Sequence, residues 1–286
     1  MKSILWFLCA MTGVVVLLNV PLHAEDEGPT RLELFDQENL VAWCIVPFDA
    51  EKRGPEERAE MLERLGLERV AYDWRQEHVA TFEEEVLAYK EHELEFFAFW
   101  GWHDEFGPLI EKHGIRPQFW QTVPSPASGT QKEKVEAAAR QMLPLVERAG
   151  ELGCQVGLYN HGGWGGEPEN MAAVARWLHE NAQADHVGIV YNLHHGHDHI
   201  NDFADVIDIL TPYLLCLNLN GMNDGGDPKI LPIGEGAHDR TMLEIIASSE
   251  YSGPIGILDH RGELDAEESL RQNLEGLRRL VKEMRR

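Results

Sequence analysis

The feature that most constrains the fold is an unbroken alternation of short apolar segments with longer amphipathic ones. The short segments are rich in β-branched and aromatic residues, as buried strands are, and the longer ones repeat apolar residues at helical spacing. The predicted strands are Val41–Phe48, Val70–Trp74, Leu94–Trp102, Pro117–Val123, Gln155–Asn160, Val187–Asn192, Leu214–Leu219 and Ile255–Leu258. The predicted helices are Pro55–Leu65, Phe82–His92, Glu105–His113, Gln131–Leu152, Glu167–Asn181, Phe203–Leu210, Arg240–Ala247 and Ala266–Met284. Eight strand–helix pairs predict a single (β/α)₈ TIM barrel.

A doubly wound open sheet is the alternative that fits the same alternation. It would place a glycine-rich phosphate turn after the first strand, whereas Pro47-Phe48-Asp49 stands there. The strands are apolar on both faces, which suits a parallel sheet covered on both sides. The barrel is therefore the favoured fold.

The N-terminal segment has the pattern of a secretory signal peptide. Lys2 precedes an apolar run over residues 4–20, and Ala24 is followed by the acidic residues 25–27. This pattern predicts cleavage after Ala24, so that residues 1–24 are the signal peptide and residues 25–286 are the barrel domain. An uncleaved membrane anchor is the alternative, since the run approaches the length of a spanning helix. With cleavage, we expect an exported protein, periplasmic or extracellular, that is not stably inserted in a membrane.

The strongly negative net charge of the chain argues against a nucleic-acid partner. The chain carries a formal net charge of −24, and loss of Lys2 makes it more negative. Such a polyanion is repelled by nucleic acid and by anionic lipid headgroups, so we expect no nucleic-acid partner.

Cys44, Cys154 and Cys216 lie in apolar, strand-like runs. We interpret them as buried apolar side chains rather than as a disulfide set.

Polar and aromatic side chains follow the predicted strands where each strand ends. In a TIM barrel the carboxyl ends of the strands carry the chemistry. Aromatic faces can stack on the C–H face of a sugar ring, and amides can address its hydroxyl groups. These side chains at the carboxyl ends of the strands, here called the rim, thus predict a small carbohydrate as the ligand. The predicted substrate-binding residues are Trp74, Trp102, His103, Asn160, Trp164, Asn192, Asn218 and Asn220.

Histidines are concentrated around the sixth strand, where five occur between residues 186 and 199. A single histidine after a strand is usually a structural hydrogen-bonding group, and His197 and His199 have the character of loop residues. Imidazole is also the side chain whose ordinary pKa suits proton transfer near neutral pH. We predict that His161 and His195 are catalytic acid–base residues.

Several short sequence motifs, here called landmarks, occur in order near the ends of the predicted strands. They are Tyr159-Asn160-His161-Gly162 after strand five, Asn192-Leu193-His194-His195 after strand six, Gly234-Glu235-Gly236, and Tyr251-Ser252-Gly253 before strand eight. With these landmarks the chain resembles the xylose isomerase-like barrel family, which groups sugar isomerases and epimerases with endonuclease IV-type enzymes. The resemblance spans residues 25–286 and implies a sugar isomerase or epimerase.

Active members of that family hold a divalent metal with Glu, Asp, His and Glu from strands five to eight. By the resemblance, these four ligand positions fall on Tyr159, Asn192, Asn218 and Leu258. None of the four is a family ligand. The resemblance therefore implies a divergent member that lacks the usual metal site.

A replacement metal site on histidines is one hypothesis. His161, His195 and His260 follow strands five, six and eight. Three imidazoles would suit zinc, iron, cobalt or nickel better than magnesium or manganese. The alternative is that these histidines bind substrate or transfer protons without metal.

Two classes of function fit these observations. The first is an exported isomerase, epimerase or related keto-sugar lyase that moves a proton next to a carbonyl. The second is a catalytically inactive barrel that binds a carbohydrate, which the loss of the four ligands favours. An endonuclease is opposed by the charge, the predicted export and the missing ligands.

Overall fold

A computed structural model describes residues 31–286. Eight parallel strands close into a barrel in chain order, and each is followed by an α-helix. The strands are β1 Leu40–Trp43, β2 Arg69–Tyr72, β3 Glu95–Trp100, β4 Gln118–Thr122, β5 Gln155–Tyr159, β6 Val187–Asn192, β7 Leu214–Leu219 and β8 Ile255–Leu258. The helices are α1 Pro55–Leu65, α2 Phe82–Glu91, α3 Gly107–His113, α4 Gln131–Glu151, α5 Pro168–Ala182, α6 Phe203–Leu210, α7 Asp239–Ser248 and α8 Ala266–Met284. The predicted (β/α)₈ barrel is confirmed.

Strands β1 to β5 end one to five residues earlier than predicted, and backbone conformation explains the differences at β1 and β3. Strand β1 stops at Trp43 because Cys44 has a left-handed backbone with φ of 59°. Strand β3 stops at Trp100 because Gly101 has φ of 65°. The residues beyond these points belong to loops at the barrel mouth. Helix α4, by contrast, continues through Pro144.

The core has two layers, as the two covered faces of the strands require. Side chains inside the barrel form one buried cluster, which includes Val41, Trp43, Trp120, Tyr159, Val190, Cys216 and Leu258. A larger cluster fills the space between the strands and the surrounding helices. Cys44, Cys154 and Cys216 are all buried and free, which confirms their interpretation as apolar side chains.

The predicted signal peptide over residues 1–24 lies outside the described residues. Within residues 31–286, no helix combines the length and the apolar character needed to cross a membrane.

Candidate active site

A cavity of about 280 Å³ opens at the carboxyl end of the barrel. A cavity of this volume suits a small ligand such as one sugar ring rather than a chain of sugars. Its wall comes from the ends of strands β1, β2, β3, β5, β6 and β8. The lining residues are Trp43, Cys44, Phe48, Asp73, Arg75, Trp100, Tyr159, His161, Asn192, His194, His195 and His260.

Four imidazoles form a continuous row along this wall. The ring centroids of His161 and His195 are 4.5 Å apart, and those of His195 and His194 are 4.4 Å apart. The row ends at His260, whose ring lies 4.9 Å from that of His194. The structure thus brings the predicted residues His161, His195 and His260 into one cavity and adds His194.

Burial keeps the middle of this row uncharged. It lowers the pKa of His194 to about 2 and that of His195 to about 3, and the adjacent imidazoles lower both pKa values further. Burial also lowers the pKa of His260. At neutral pH these rings are neutral, so each offers one N–H donor and one nitrogen acceptor.

Tyr159 has a hydroxyl whose two acceptor positions are both used. Its oxygen accepts hydrogen bonds from Nδ2 of Asn192 and, at 3.2 Å, from Nε1 of Trp43. Asn192 is oriented by its own Oδ1, which accepts from the backbone N–H of His194 at 3.1 Å. Because a phenol oxygen has two lone pairs and one proton, the proton of Tyr159 remains available for donation. Burial raises its pKa, so it stays protonated.

Asp73 is the one carboxyl group among the cavity-lining residues of the described chain. It follows β2 directly and is only 2% exposed. Its Oδ1 accepts from the backbone N–H of Val46 at 3.2 Å, while Oδ2 has no hydrogen-bond partner within residues 31–286. Burial raises its pKa to about 7, although the nearby Arg75 acts in the opposite direction. A carboxyl group with this pKa can accept or donate a proton near neutral pH.

A second buried carboxyl group, Asp259, lies behind the wall. Its side chain accepts a hydrogen bond from the hydroxyl of Ser269, and Nε of Arg261 is 3.9 Å away. Burial raises the pKa of Asp259 to about 8, and the negative charges of Asp73 and Asp49 contribute to the rise. Asp259 is therefore largely protonated at neutral pH.

The predicted aromatic residues of the rim lie outside the cavity and serve packing. Trp74 donates from Nε1 to the carbonyl oxygen of Trp100 at 2.8 Å, and its ring meets His103 edge-on. Trp102 lines a separate surface groove beside Arg148, whose guanidinium lies 4.7 Å from the ring. Trp164 donates to the side chain of Gln131 at 3.1 Å. Trp100 is the rim tryptophan that does line the cavity.

Three of the four predicted amides also lie outside the cavity. Asn160 joins the ends of β5 and β6, since its side chain accepts from the N–H and donates to the carbonyl of Asn192. Asn218 is fully buried, and a Cβ atom on Gly256 would lie 1.7 Å from its Oδ1. Asn220 donates to the backbone carbonyl of Gly221. Of the amides, only Asn192 lines the cavity.

Sequence reasoning missed Asp73 and Arg75 as site residues, although strand parity could have found them. Ala71 belongs to the cluster inside the barrel. Side chains on one face of a strand recur every second residue, so Asp73 and Arg75 continue the same face beyond the strand end. By the same alternation, the side chain of Trp74 lies on the outer face of the barrel, toward the helices.

The residues at the family's four ligand positions do not fit a divalent metal. They offer a protonated phenol, two amides and an alkyl side chain, and Tyr159 and Asn192 are hydrogen-bonded to each other. Leu258 is buried among the apolar side chains inside the barrel. Within residues 31–286, no three His, Cys, Asp or Glu side chains are arranged to hold a metal ion. The hypothesis of a metal on His161, His195 and His260 stays a prediction.

Comparison with solved structures shows what this barrel is similar to. The IolI protein with a bound zinc atom matches with a TM-score of 0.63 and 14% identity, over 86% of this chain and 98% of that one. The 3-keto-D-glucoside 4-epimerase YcjR from E. coli matches with a TM-score of 0.57 and 15% identity, over 80% and 94% of the two chains. A xylose isomerase-like TIM barrel protein from Mycobacterium smegmatis, in complex with magnesium, matches with a TM-score of 0.54 and 12% identity, over 87% and 99%.

These similarities establish the fold. No protein-family model and no curated protein matches the sequence. The chain thus has the fold of the xylose isomerase-like barrels, as the residues after its strands implied.

Proposed function

We propose that this xylose isomerase-like TIM barrel is an isomerase or epimerase of a small keto-sugar that moves a proton next to a carbonyl without a divalent metal. One observation carries the proposal. A carboxyl group with a pKa of about 7, a row of four imidazoles and a phenol with a free proton surround one cavity of monosaccharide size. Proton removal next to a carbonyl needs a base near neutral pH and a donor for the enediolate oxygen.

Asp73 is the base in this proposal. Its carboxylate takes the proton from the carbon beside the carbonyl. The electron pair of that C–H bond forms the carbon–carbon double bond of the enediolate, and the carbonyl π pair moves onto oxygen. Because the pKa of Asp73 is about 7, about half of the molecules hold the carboxylate form at neutral pH. Activity should therefore rise as the pH rises through 7.

Tyr159 and His195 stabilise the developing oxyanion. The hydroxyl of Tyr159 accepts from Trp43 and Asn192, so its proton is the group left to donate. The ring of His195 lies 6.0 Å from that of Tyr159, centroid to centroid. A neutral imidazole is suited to hydrogen-bond donation, because it stabilises the oxyanion without giving up its proton.

His161 is the second proton-transfer group. It follows β5, whereas Asp73 follows β2, so three strand positions of the closed barrel separate them. The two groups thus face the cavity from different sides. Removal of a proton by the Asp73 carboxylate and delivery of a different proton to the opposite face by protonated His161 would invert a carbon centre, which is epimerisation. Proton exchange with solvent then returns both groups to their starting states. Return to the neighbouring carbon, with a proton moving between the two oxygens, would be isomerisation.

The fold comparison supports the substrate class in this proposal. The E. coli protein of the same fold is named a 3-keto-D-glucoside 4-epimerase. The present cavity offers aromatic and amide groups of the kinds that contact sugar rings and hydroxyls. We therefore assign a keto-sugar, rather than an unrelated ketone, as the substrate.

Solvent-deuterium incorporation tests the activity directly. The protein would be incubated in D₂O with a panel of keto-sugars, and proton NMR would follow loss of the signal next to the carbonyl. We expect exchange with at least one sugar, no change with a chelator such as EDTA, and a loss of about two to four orders of magnitude in Asp73→Asn. Asp198→Asn, an exposed carboxyl change in the same rim, is the matched control and should retain full exchange. Activity abolished by the chelator and restored by zinc would overturn the metal-independent mechanism.

A metal-free carbohydrate-binding barrel is the second candidate, favoured by Tyr159, Asn192, Asn218 and Leu258 at the four ligand positions. It predicts saturable sugar binding by calorimetry with no deuterium incorporation for any bound sugar. It also predicts that Asp73→Asn leaves ligand affinity near its original value.

We also propose that the enzyme acts outside the cytoplasm. The support is the signal-peptide pattern of residues 1–24, with Lys2, the apolar run and Ala24.

A further inference from the structure

We propose that the substrate of this cavity is a sugar acid, whose carboxylate is bound by Arg75. The inference deepens the proposed function and rests on it for the sugar part of the substrate. Arg75, three residues beyond β2, lines the cavity.

Arg75 is held with one edge of its guanidinium available. Its Nη1 donates to the carbonyl oxygens of Asp73 and Trp74, at 2.6 and 2.8 Å. Within residues 31–286, Nε and Nη2 make no hydrogen bond, and Arg75 forms no ion pair. Nε and Nη2 form the side of the fork that matches the two oxygens of a carboxylate. The guanidinium is thus positioned by the protein backbone, and its bidentate side remains unused.

An aromatic wall continues from this group into the cavity. The guanidinium carbon of Arg75 lies 5.6 Å from the ring centroid of Phe48, and the ring of Phe48 lies 3.9 Å from that of His260. Phe48 therefore contacts both the cation and His260, the end of the row of histidines. A sugar ring against this wall would carry its carboxylate toward Arg75 and its reacting carbons toward His195 and Tyr159.

The charge of the cavity wall contrasts with that of the whole protein. The chain has 49 acidic and 25 basic residues, whereas the wall has one permanent cation and one carboxyl group, Asp73. That carboxyl group is half-neutralised at pH 7. A locally cationic pocket in a strongly acidic protein favours an anionic ligand over a neutral one.

A carboxylate fits this arrangement better than a phosphate. The planar fork of one arginine matches the planar carboxylate. Phosphate sites commonly add several backbone N–H donors at a helix N-terminus, and every residue lining this cavity lies in or after a strand end rather than in an α-helix. Phosphorylated sugars are therefore the comparison class in the test.

Calorimetry at fixed ionic strength tests the inference with matched ligands. The probes are D-glucuronate and D-galacturonate, the neutral sugars D-glucose and D-galactose, and D-glucose 6-phosphate. We expect at least one sugar acid to bind about 10- to 100-fold more tightly than its neutral counterpart, as a charge-assisted bidentate contact allows. This preference should disappear in Arg75→Gln. It should persist in Arg116→Gln, which removes the same charge from an exposed arginine just before β4, at the opposite end of the barrel.

Several outcomes would overturn the assignment. They are equal binding of acid and neutral sugars, no binding of either sugar acid, tighter binding of the phosphate ester, and an unchanged preference in Arg75→Gln. The result is separable from the proposed activity. Deuterium exchange on neutral keto-sugars without a carboxylate preference removes only the role of Arg75. A carboxylate preference without any deuterium exchange would support carboxylate binding by Arg75 and contradict the proposed isomerase activity.

Discussion

The phenol oxygen of Tyr159 accepts a hydrogen bond from the side-chain amide of Asn192. By the family resemblance, these two residues occupy the positions expected to hold the first and second ligands of a divalent metal. They form a neutral hydrogen-bonded pair there. The proposed mechanism uses the Tyr159 hydroxyl as the electrophilic group of the cavity.

Replacement of Tyr159 by Phe should lower kcat by about two to three orders of magnitude, the usual effect of one oxyanion donor, with a smaller change in KM. It should also lower the free energy of unfolding by about 1–3 kcal/mol, because Trp43 and Asn192 lose their buried acceptor. Steady-state kinetics and urea unfolding measure the two effects. Tyr191→Phe is the control, since that buried hydroxyl has no partner within residues 31–286. Unchanged kcat in Tyr159→Phe would remove the phenol from the mechanism.

Replacement of His161 or His195 by Gln should retain the fold, because Gln is close to imidazole in size and polarity. Activity should fall by about two to four orders of magnitude with much less change in ligand affinity, since the lost interaction belongs to the transition state. Kinetics, calorimetry and thermal melting separate these effects. His199→Gln, whose ring bridges Asp202 and Glu167 outside the cavity, should keep its activity. A lowered melting temperature with normal specific activity would show that the two histidines are structural.

The contribution of Asp259 to the stability of the protein should fall as the pH rises from 7 to 8, where the unfolded histidines are already mostly neutral. Burial raises the pKa of Asp259 to about 8, whereas an unfolded aspartate titrates near 4. Between these values the native state binds more protons than the unfolded state, so the free energy of unfolding decreases by up to about 1.4 kcal/mol per pH unit for this group. In Asp259→Asn the decrease between pH 7 and 8 should be smaller. Urea unfolding across this range measures it, and identical slopes in both proteins would contradict the protonated state of Asp259.

Export predicts that the mature chain begins at Glu25. N-terminal sequencing of protein recovered from the native cell envelope or medium measures this. An Ala24→Lys substitution, which replaces the small residue at the cleavage site, should retain the longer chain. Recovery of an intact Met1 on cytoplasmic protein would contradict export.

The sequence by itself determined the barrel. Strand and helix periods are local properties, and eight repeats of them leave few ways to cover every apolar face. It also indicated the carboxyl ends of the strands as the place of the candidate site, where His161, His195 and Asn192 do line a cavity. These residues follow their strands closely, so the strand ends fix their positions.

Only the tertiary structure decided which side chains at the strand ends face the cavity. It also decided the protonation states of the titratable ones. Trp74 turns outward to the carbonyl of Trp100, whereas Arg75 is drawn to the mouth by the carbonyl oxygens of Asp73 and Trp74. Strand parity indicates a direction for a side chain just beyond a strand end, and the loop conformation decides whether that direction is kept. The pKa values of Asp73 and His195 depend on burial by many distant segments. Such collective desolvation has no local signature in the sequence, which is why the raised pKa of the proposed base was found only in the folded barrel.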